Sequence, residues 1–201
     1  MSSMSGGIEV DICVIGAGSG GLSVAAGASQ LGASVALVER RLMGGDCLNF
    51  GCVPSKALLA AGKSAHNIAG AARFGITSAA PGIDQKAVRQ HVRDVIAAIA
   101  PHDSIERFRA LGVNVILGAA RFTGPREIQV DGQTIRARRF VVATGSSPVV
   151  PAIPGLDGVP YLTNETLFEY DQPMAHLIVI GGGPIGVEMS QAHRRLGVAV
   201  T

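Results

Sequence analysis

Short apolar stretches alternate with Ala-rich segments of helical length along the start of the chain. Val10–Ile15 (Val-Asp-Ile-Cys-Val-Ile) is largely apolar and rich in β-branched residues, the pattern of a parallel strand buried on both faces. Glycines between Gly16 and Gly21 break it, Leu22–Leu31 is helical in composition, and Gly32 stops that helix. Ser34–Val38 predicts a second strand ending at Glu39, completing a strand–turn–helix–strand unit.

Further along, a glycine bend at Gly44-Gly45 precedes a helical stretch from about Gly51 to Ala72. Asp84–Leu111 reads as a long helical region broken before Pro101, because the residue preceding proline avoids the helical conformation. Asn114–Leu117 predicts another strand. Between Arg121 and Arg138 the pattern changes to short strands, with Asp131-Gly132 as a hairpin signal between Glu127–Val130 and Thr134–Arg136, which predicts a small antiparallel appendage. Phe140–Ala143 returns to the core as a separate strand. Pro148, Pro151, Pro154 and Pro160 mark a linker. Beyond it, Leu177–Ile180 predicts a strand, Gly181–Gly186 a second glycine turn, Val187–Leu196 a helix and Val198–Thr201 the start of a strand. The expected organisation is a flexible tail over 1–7, a first nucleotide-binding domain over 8–147, a linker over 148–160 and the start of a second such domain over 161–201.

Composition narrows the class. Of 201 residues, 47% are hydrophobic, 27 are glycine and only 4% are aromatic, which suits α/β architecture. A net charge of +2 with 16% charged residues argues against disorder and against a nucleic-acid or anionic-membrane surface. Three cysteines are too few for a secreted disulfide framework. No secretory signal is visible, and no apolar run approaches the ~20 residues that span a bilayer. A cytoplasmic protein is the expectation.

Gly16, Gly18 and Gly21 form G-x-G-x-x-G between a strand and a helix. The first glycine permits the tight turn, the second lets the backbone approach a diphosphate, and the third lets helix and strand pack closely. The helix N-terminus supplies unpaired N–H groups for phosphate, and Glu39 can accept from ribose hydroxyls. The plainer reading is a ligand-free turn beside a surface acid. Gly181, Gly183 and Gly186 repeat the pattern, with Pro184 suited to the first helical position. Two dinucleotide sites in one chain suggest electrons passing between two cofactors. Glu188 also has a plainer reading, as a first-turn acid favoured by the helix dipole.

Cys47 and Cys52 stand five positions apart, at roughly 8–9 Å between Cα atoms if both lay in one regular helix. A disulfide bridges no more than about 7 Å, so a bond would require a distorted loop or first turn, which Asn49 and Gly51 tolerate. Such a small ring stabilises little, which argues against a structural disulfide; the context, a cytoplasmic pair beside a nucleotide-binding domain, makes it read as a redox couple, with Lys56 and a helix N-terminus favouring the thiolate. Inert thiols and half of a soft-metal site remain open. No metal-ligating set is predicted. Cys13 reads as a packed small hydrophobe, and His66, His91, His102, His176 and His193 as surface or helix-face residues.

Together these motifs resemble the pyridine nucleotide–disulfide oxidoreductases, the flavoprotein family of dihydrolipoamide dehydrogenase, glutathione reductase and mercuric reductase. The likeness covers nearly the whole chain from Ile8 and includes C-x4-C followed by Val-Pro-Ser-Lys. It implies a Rossmann-like domain holding FAD, followed by the start of a Rossmann-like domain holding NAD or NADP. By that resemblance, FAD would be held by Gly16, Gly18, Ser19, Gly21, Glu39, Arg40, Gly45, Asp46, Ala120, Ala143, Thr144 and Gly145, and the nicotinamide nucleotide by Gly181, Gly183 and Gly186. Cys47 would be the interchange thiol, Cys52 would lie against the flavin, and Lys56 would pair with Glu188. The substrate would be a small disulfide or dithiol such as lipoamide, or a soft metal ion. Asp46 departs from the family, which usually has Thr or Ser near the diphosphate; a carboxylate there repels phosphate unless it turns away or binds a cation. The family is more than twice this length, and its C-terminal domain forms a homodimer and supplies a His–Glu pair to the partner's site. This chain alone is therefore not expected to turn over. A nucleotide-binding module whose thiols sense redox state or metal without turnover is the alternative.

Overall fold

The computed structural model describes residues 7–201; the tail expected over 1–7 lies, but for Gly7, outside the described residues. In chain order the elements are β1 (Ile8–Ile15), α1 (Ser19–Gln30), β2 (Val35–Glu39), α2 (Gly45–Asn49), α3 (Cys52–Ala69), α4 (Gln85–Ile99), α5 (Ile105–Ala110), β3 (Asn114–Leu117), β4 (Ala120–Gly124), β5 (Glu127–Val130), β6 (Gln133–Val142), α6 (Asn164–Leu167), β7 (His176–Leu177), α7 (Pro184–Arg195) and β8 (Ala199–Val200). They form two compact units. One takes the chain up to Asn49 together with Ile99–Ser147, and the other takes Phe50–Ala98 with Pro148–Thr201.

The first unit is built on a six-stranded sheet in the order β3-β2-β1-β6-β5-β4. β3, β2, β1 and β6 run parallel, with Ile12 opposite Val35 and Val14 opposite Val141, while β5 and β4 add on antiparallel. Strand alternation sends successive residues to opposite faces. Val14, Val35, Leu37 and Val115 meet Leu22 and Ala25 of α1 and Phe108 of α5 in one core, while Cys13, Ala36 and Val38 pack with Ile128, Val130 and Ile135 in another. All five residues of β2 are buried, as its unbroken apolar run requires of a strand covered on both faces.

The expected antiparallel appendage is part of this same sheet. Thr134–Arg136 and Phe140–Ala143 are not separate strands: β6 runs unbroken from Gln133 to Val142, pairing with β5 through its first half and with β1 from Ile135 onward. No turn residue interrupts Ala137–Arg139, so nothing ends the strand there. Asp131 and Gly132 both adopt positive φ, 46° and 85°, the hairpin turn that the Asp-Gly pair favours.

The second unit packs α3 against α7 and α4 around Ala57, Leu58, Ala65, Val92, Met189, Ala192 and Leu196. Val88, Val92, Val95 and Ile96 place an apolar stripe along α4 at helical spacing. The strand expected over Leu177–Ile180 is paired for less of its length. β7 and β8 run parallel with His176 opposite Ala199, and the pairing closes with the Val179 N–H on the Thr201 carbonyl at 2.8 Å. The helix expected from Gly51 to Ala72 is α3 followed by a 3-10 turn at Ala71–Phe74. Among the described residues, no helix is long and apolar enough to cross a membrane.

Candidate functional site

In the first unit, the turn between β1 and α1 is a backbone cradle. Gly16 has φ +106°, and a Cβ there would stand on the Ala143 carbonyl at the end of the neighbouring strand. A Cβ on Gly21 would strike the Gly16 carbonyl oxygen and stand 3.3 Å from Val14 Cγ1, so the helix leaves the strand at the closest approach glycine allows. Gly18 caps α1 with extended backbone and no side-chain hydrogen bond. The first N–H groups of α1, beginning at Ser19, therefore have no acceptor within the helix, and they carry the positive end of its dipole.

A second glycine segment closes the cradle. The Gly44 N–H donates to the Ala17 carbonyl at 2.9 Å, and a Cβ on Gly45 would lie 2.5 Å from Gly18 Cα. Gly44 and Ala17 were not singled out by motif; the doubled glycine at 44–45 was the available signal. Glu39, only 8% exposed, accepts from the Ala17 N–H and the Arg41 N–H, each at 2.7 Å. A carboxylate has about four acceptor sites, so these two bonds orient Glu39 and leave capacity for hydroxyls. Ala143 anchors the end of β6 by donating to the Ile15 carbonyl at 2.8 Å, followed by exposed Thr144 and by Gly145 at φ +68°. Ala120 packs with the core on the second face of the sheet. Arg40 is exposed beyond Glu39, and Asp46 is an exposed acid in the first turn of α2. A helix start without a side-chain cap and a buried acid on one glycine turn suit a ligand carrying both phosphate and ribose hydroxyls.

In the second unit, Gly181 has φ +117°, Gly183 caps α7 without a side-chain bond, and Pro184 occupies its first turn. A Cβ on Gly186 would strike the Gly181 carbonyl oxygen and stand 3.3 Å from Val179 Cγ1. On the helices of the same unit, both carboxylate oxygens of Glu188 lie 2.7 Å from Lys56 Nζ. Neither partner is buried: their side chains are 60% and 37% exposed for Lys56 and Glu188.

The cysteines fall on two successive helices rather than one. Half-buried Cys47 lies in α2, exposed Cys52 opens α3, and Phe50-Gly51 breaks the helical path between them. Asn49 braces the approach to that break, its amide donating to the carbonyls of Met43 and Gly45 at 3.0 and 2.8 Å. Cys13 is fully buried in β1, and burial pushes its thiol up to about 11. Of the histidines, His66, His91, His102 and His176 are exposed. His193 is partly buried, with Nδ1 2.8 Å from the Met189 carbonyl; desolvation holds its pKa below the ordinary value, against the raising effect of that bond. A cavity of about 380 Å³ in the second unit, lined by Val150, Pro154, Leu156 and Tyr161 among others, contains none of these groups. Among the described residues, no three His, Cys, Asp or Glu side chains are grouped to hold a metal ion.

A family model described as pyridine nucleotide-disulphide oxidoreductase matches residues 10–201. A mercuric reductase from Streptomyces lividans is 39% identical over 197 residues, covering 95% of this chain and 42% of that protein. A dihydrolipoyl dehydrogenase from Thermus scotoductus is 40% identical over 192 residues, covering 95% of this chain and 41% of that protein. Among solved structures, the HOCl-induced flavoprotein disulfide reductase RclA from Escherichia coli superposes with a TM-score of 0.80 at 26% identity, over 94% of this chain and 41% of its own. The chain thus spans about two fifths of the length of these relatives.

Proposed function

The chain belongs to the pyridine nucleotide-disulphide oxidoreductase family, and from that premise we propose that the whole protein moves electron pairs between NAD(P)H and a small disulfide or dithiol through Cys47 and Cys52. Members of the family depend on FAD and use NAD(P)H. The first glycine cradle fits FAD: the N-terminus of α1, with no side-chain cap, would face a diphosphate, the close Gly18–Gly45 contact holds the second glycine segment beside it, and Glu39 has acceptor capacity for ribose hydroxyls. When bound, FAD supplies a two-electron relay between nicotinamide and thiol chemistry. The turn at Gly181, Gly183 and Gly186 would hold NADH or NADPH.

The thiol steps need only this chain's residues and the substrate. The Cys47 thiolate attacks one sulfur of the substrate disulfide; the substrate S–S bond breaks and one thiolate leaves. The Cys52 thiolate then attacks the Cys47 sulfur, releasing the second substrate thiolate and forming the Cys47–Cys52 disulfide. Two electrons pass from protein to substrate, and protons from solvent neutralise the products. Run in reverse, the same steps oxidise a dithiol. Lys56, held by Glu188, places a fixed positive charge four residues after Cys52. The full-length protein would work as a homodimer.

The Lys56–Glu188 pair is the observation that carries this reading. A residue 132 positions away, on α7, brings its carboxylate onto the lysine of the helix that Cys52 opens. In the full-length protein, NADH is expected to raise the number of thiols that react with a chromogenic reagent by two per chain, and Cys52→Ser to abolish the increase. A thiol count indifferent to NADH would overturn the proposal. The near-equal identities to a mercuric reductase and a dihydrolipoyl dehydrogenase support a second substrate reading, a soft metal ion held by the same two thiolates. Comparing NADH oxidation with a lipoamide-type disulfide and with Hg(II) decides between them.

A further inference from the structure

We propose that Gly62 is a positioning residue, setting the separation of α3 and α7 that brings Lys56 onto Glu188. The inference rests on the reading above for its consequence in the reaction, but on geometry alone for the ion pair. The contacts of the two helices climb in the same direction: Lys56 meets Glu188 near their starts, and Gly62 meets Ala192 further along. Gly62 is buried, and a Cβ there would stand 3.1 Å from the Ala192 carbonyl oxygen, 3.4 Å from its Cα and 3.4 Å from Arg195 Cβ. Two of these obstacles are backbone atoms, which cannot rotate aside. Ala192 is fully buried, in one core with Leu58, Ala65 and Met189. Any side chain at position 62 must therefore be relieved by moving one helix away from the other. Lys56 and Glu188 ride on those helices less than two turns away.

Glycine also carries a penalty in a helix interior, so its presence here is explained by the contact and not by helix formation. Gly27 in α1 is the control, because a Cβ there meets nothing within 4 Å. The test uses the full-length protein with Gly62→Val, Gly62→Ala or Gly27→Ala. Each variant is pulse-labelled with acetic anhydride at one mildly alkaline pH. Acetylation of Lys56 is read by mass spectrometry against Lys63 and Lys86. An exposed ion pair is weak, so its loosening should raise Lys56 labelling about two- to fivefold in Gly62→Val. Gly62→Ala should give a smaller rise and Gly27→Ala none. In a Glu188→Gln background the Gly62→Val increment should vanish, which a merely destabilised helix would not produce. Unchanged Lys56 labelling in folded Gly62→Val, or an equal increment without Glu188, overturns the proposal. Should Gly62→Val fail to fold, Gly62→Ala decides it, since alanine favours the helix. Flavin reduction by NADH on the same variants separates the two readings. A labelling rise with an unchanged reduction rate sustains the role of Gly62 and overturns the pair's part in the reaction.

Discussion

The two glycine turns are built alike and surrounded differently. Gly16 and Gly181 share φ values of +106° and +117°, and Gly18 and Gly183 cap their helices with φ/ψ of −80°/−176° and −74°/174°. In each, a Cβ on the third glycine would strike the first one's carbonyl oxygen and stand 3.3 Å from Val14 or Val179. Within these 201 residues the surroundings diverge. Gly16 is roofed by the Ala143 carbonyl, whereas a Cβ on Gly181 meets nothing within 4 Å. Cys13 and Val14 are fully buried, while Ile178 and Ile180 are 66% and 64% exposed. The turn is a local device. How firmly it is held depends on strands contributed from elsewhere in the chain.

The comparison is broken most directly at the first glycine. Gly16→Ala combines positive-φ strain with a clash against a fixed strand, and should cost about 3–5 kcal/mol in urea unfolding of the 201-residue chain. Gly181→Ala meets only the strain and should cost about 1–2 kcal/mol. Equal losses would mean that the neighbouring strand contributes nothing to the first turn.

Acid should separate the units next. The helix after the first turn has no ionisable side chain, whereas α7 carries His193, whose folded pKa is depressed chiefly by burial. A histidine held neutral in the fold gains its proton more readily when unfolded. Its contribution is therefore present above the unfolded value of about 6.5 and is lost as pH falls through the lower folded value, by at most about 1.4 kcal/mol per pH unit. In the first unit the depressed groups are Asp11, bonded to Ser34 and Arg138, and Glu127, bonded to Thr123 and Arg136. They respond only below the ordinary carboxylate range of about 4. Amide exchange between these two ranges should therefore quicken in α7 before β1, and His193→Gln should flatten the difference.

A probe that leaves the fold nearly untouched sharpens the contrast further. Position 178 stands to Gly181 as Cys13 stands to Gly16. In the 201-residue chain, Ile178→Cys should be alkylated by iodoacetamide readily at neutral pH. Cys13, buried and with its thiol pushed up to about 11, should be labelled only on unfolding. Comparable native rates at the two positions would erase the distinction.

Much of this was readable from residue order because its causes are short-ranged. Glycine spacing, the Asp131-Gly132 hairpin and Glu39 at a strand end depend on backbone sterics and alternation within a few residues. The continuity of β6 was not readable, because whether Ala137–Arg139 extends or turns is settled by β1 alongside it. The helix break at Phe50-Gly51, by contrast, was legible, because Asn49 and Gly51 tolerate a distorted turn just where the helical stretch begins.

Order along the chain, then, was enough to specify two glycine turns that each open a helix, an acid at a strand end after the first, and two cysteines close in sequence to a lysine. Which turn is roofed, where Glu39 is aimed and why a glycine stands at position 62 depended on distant segments packing together. Close packing between segments remote in sequence is a property of three-dimensional contact, and no local pattern of residue types encodes it.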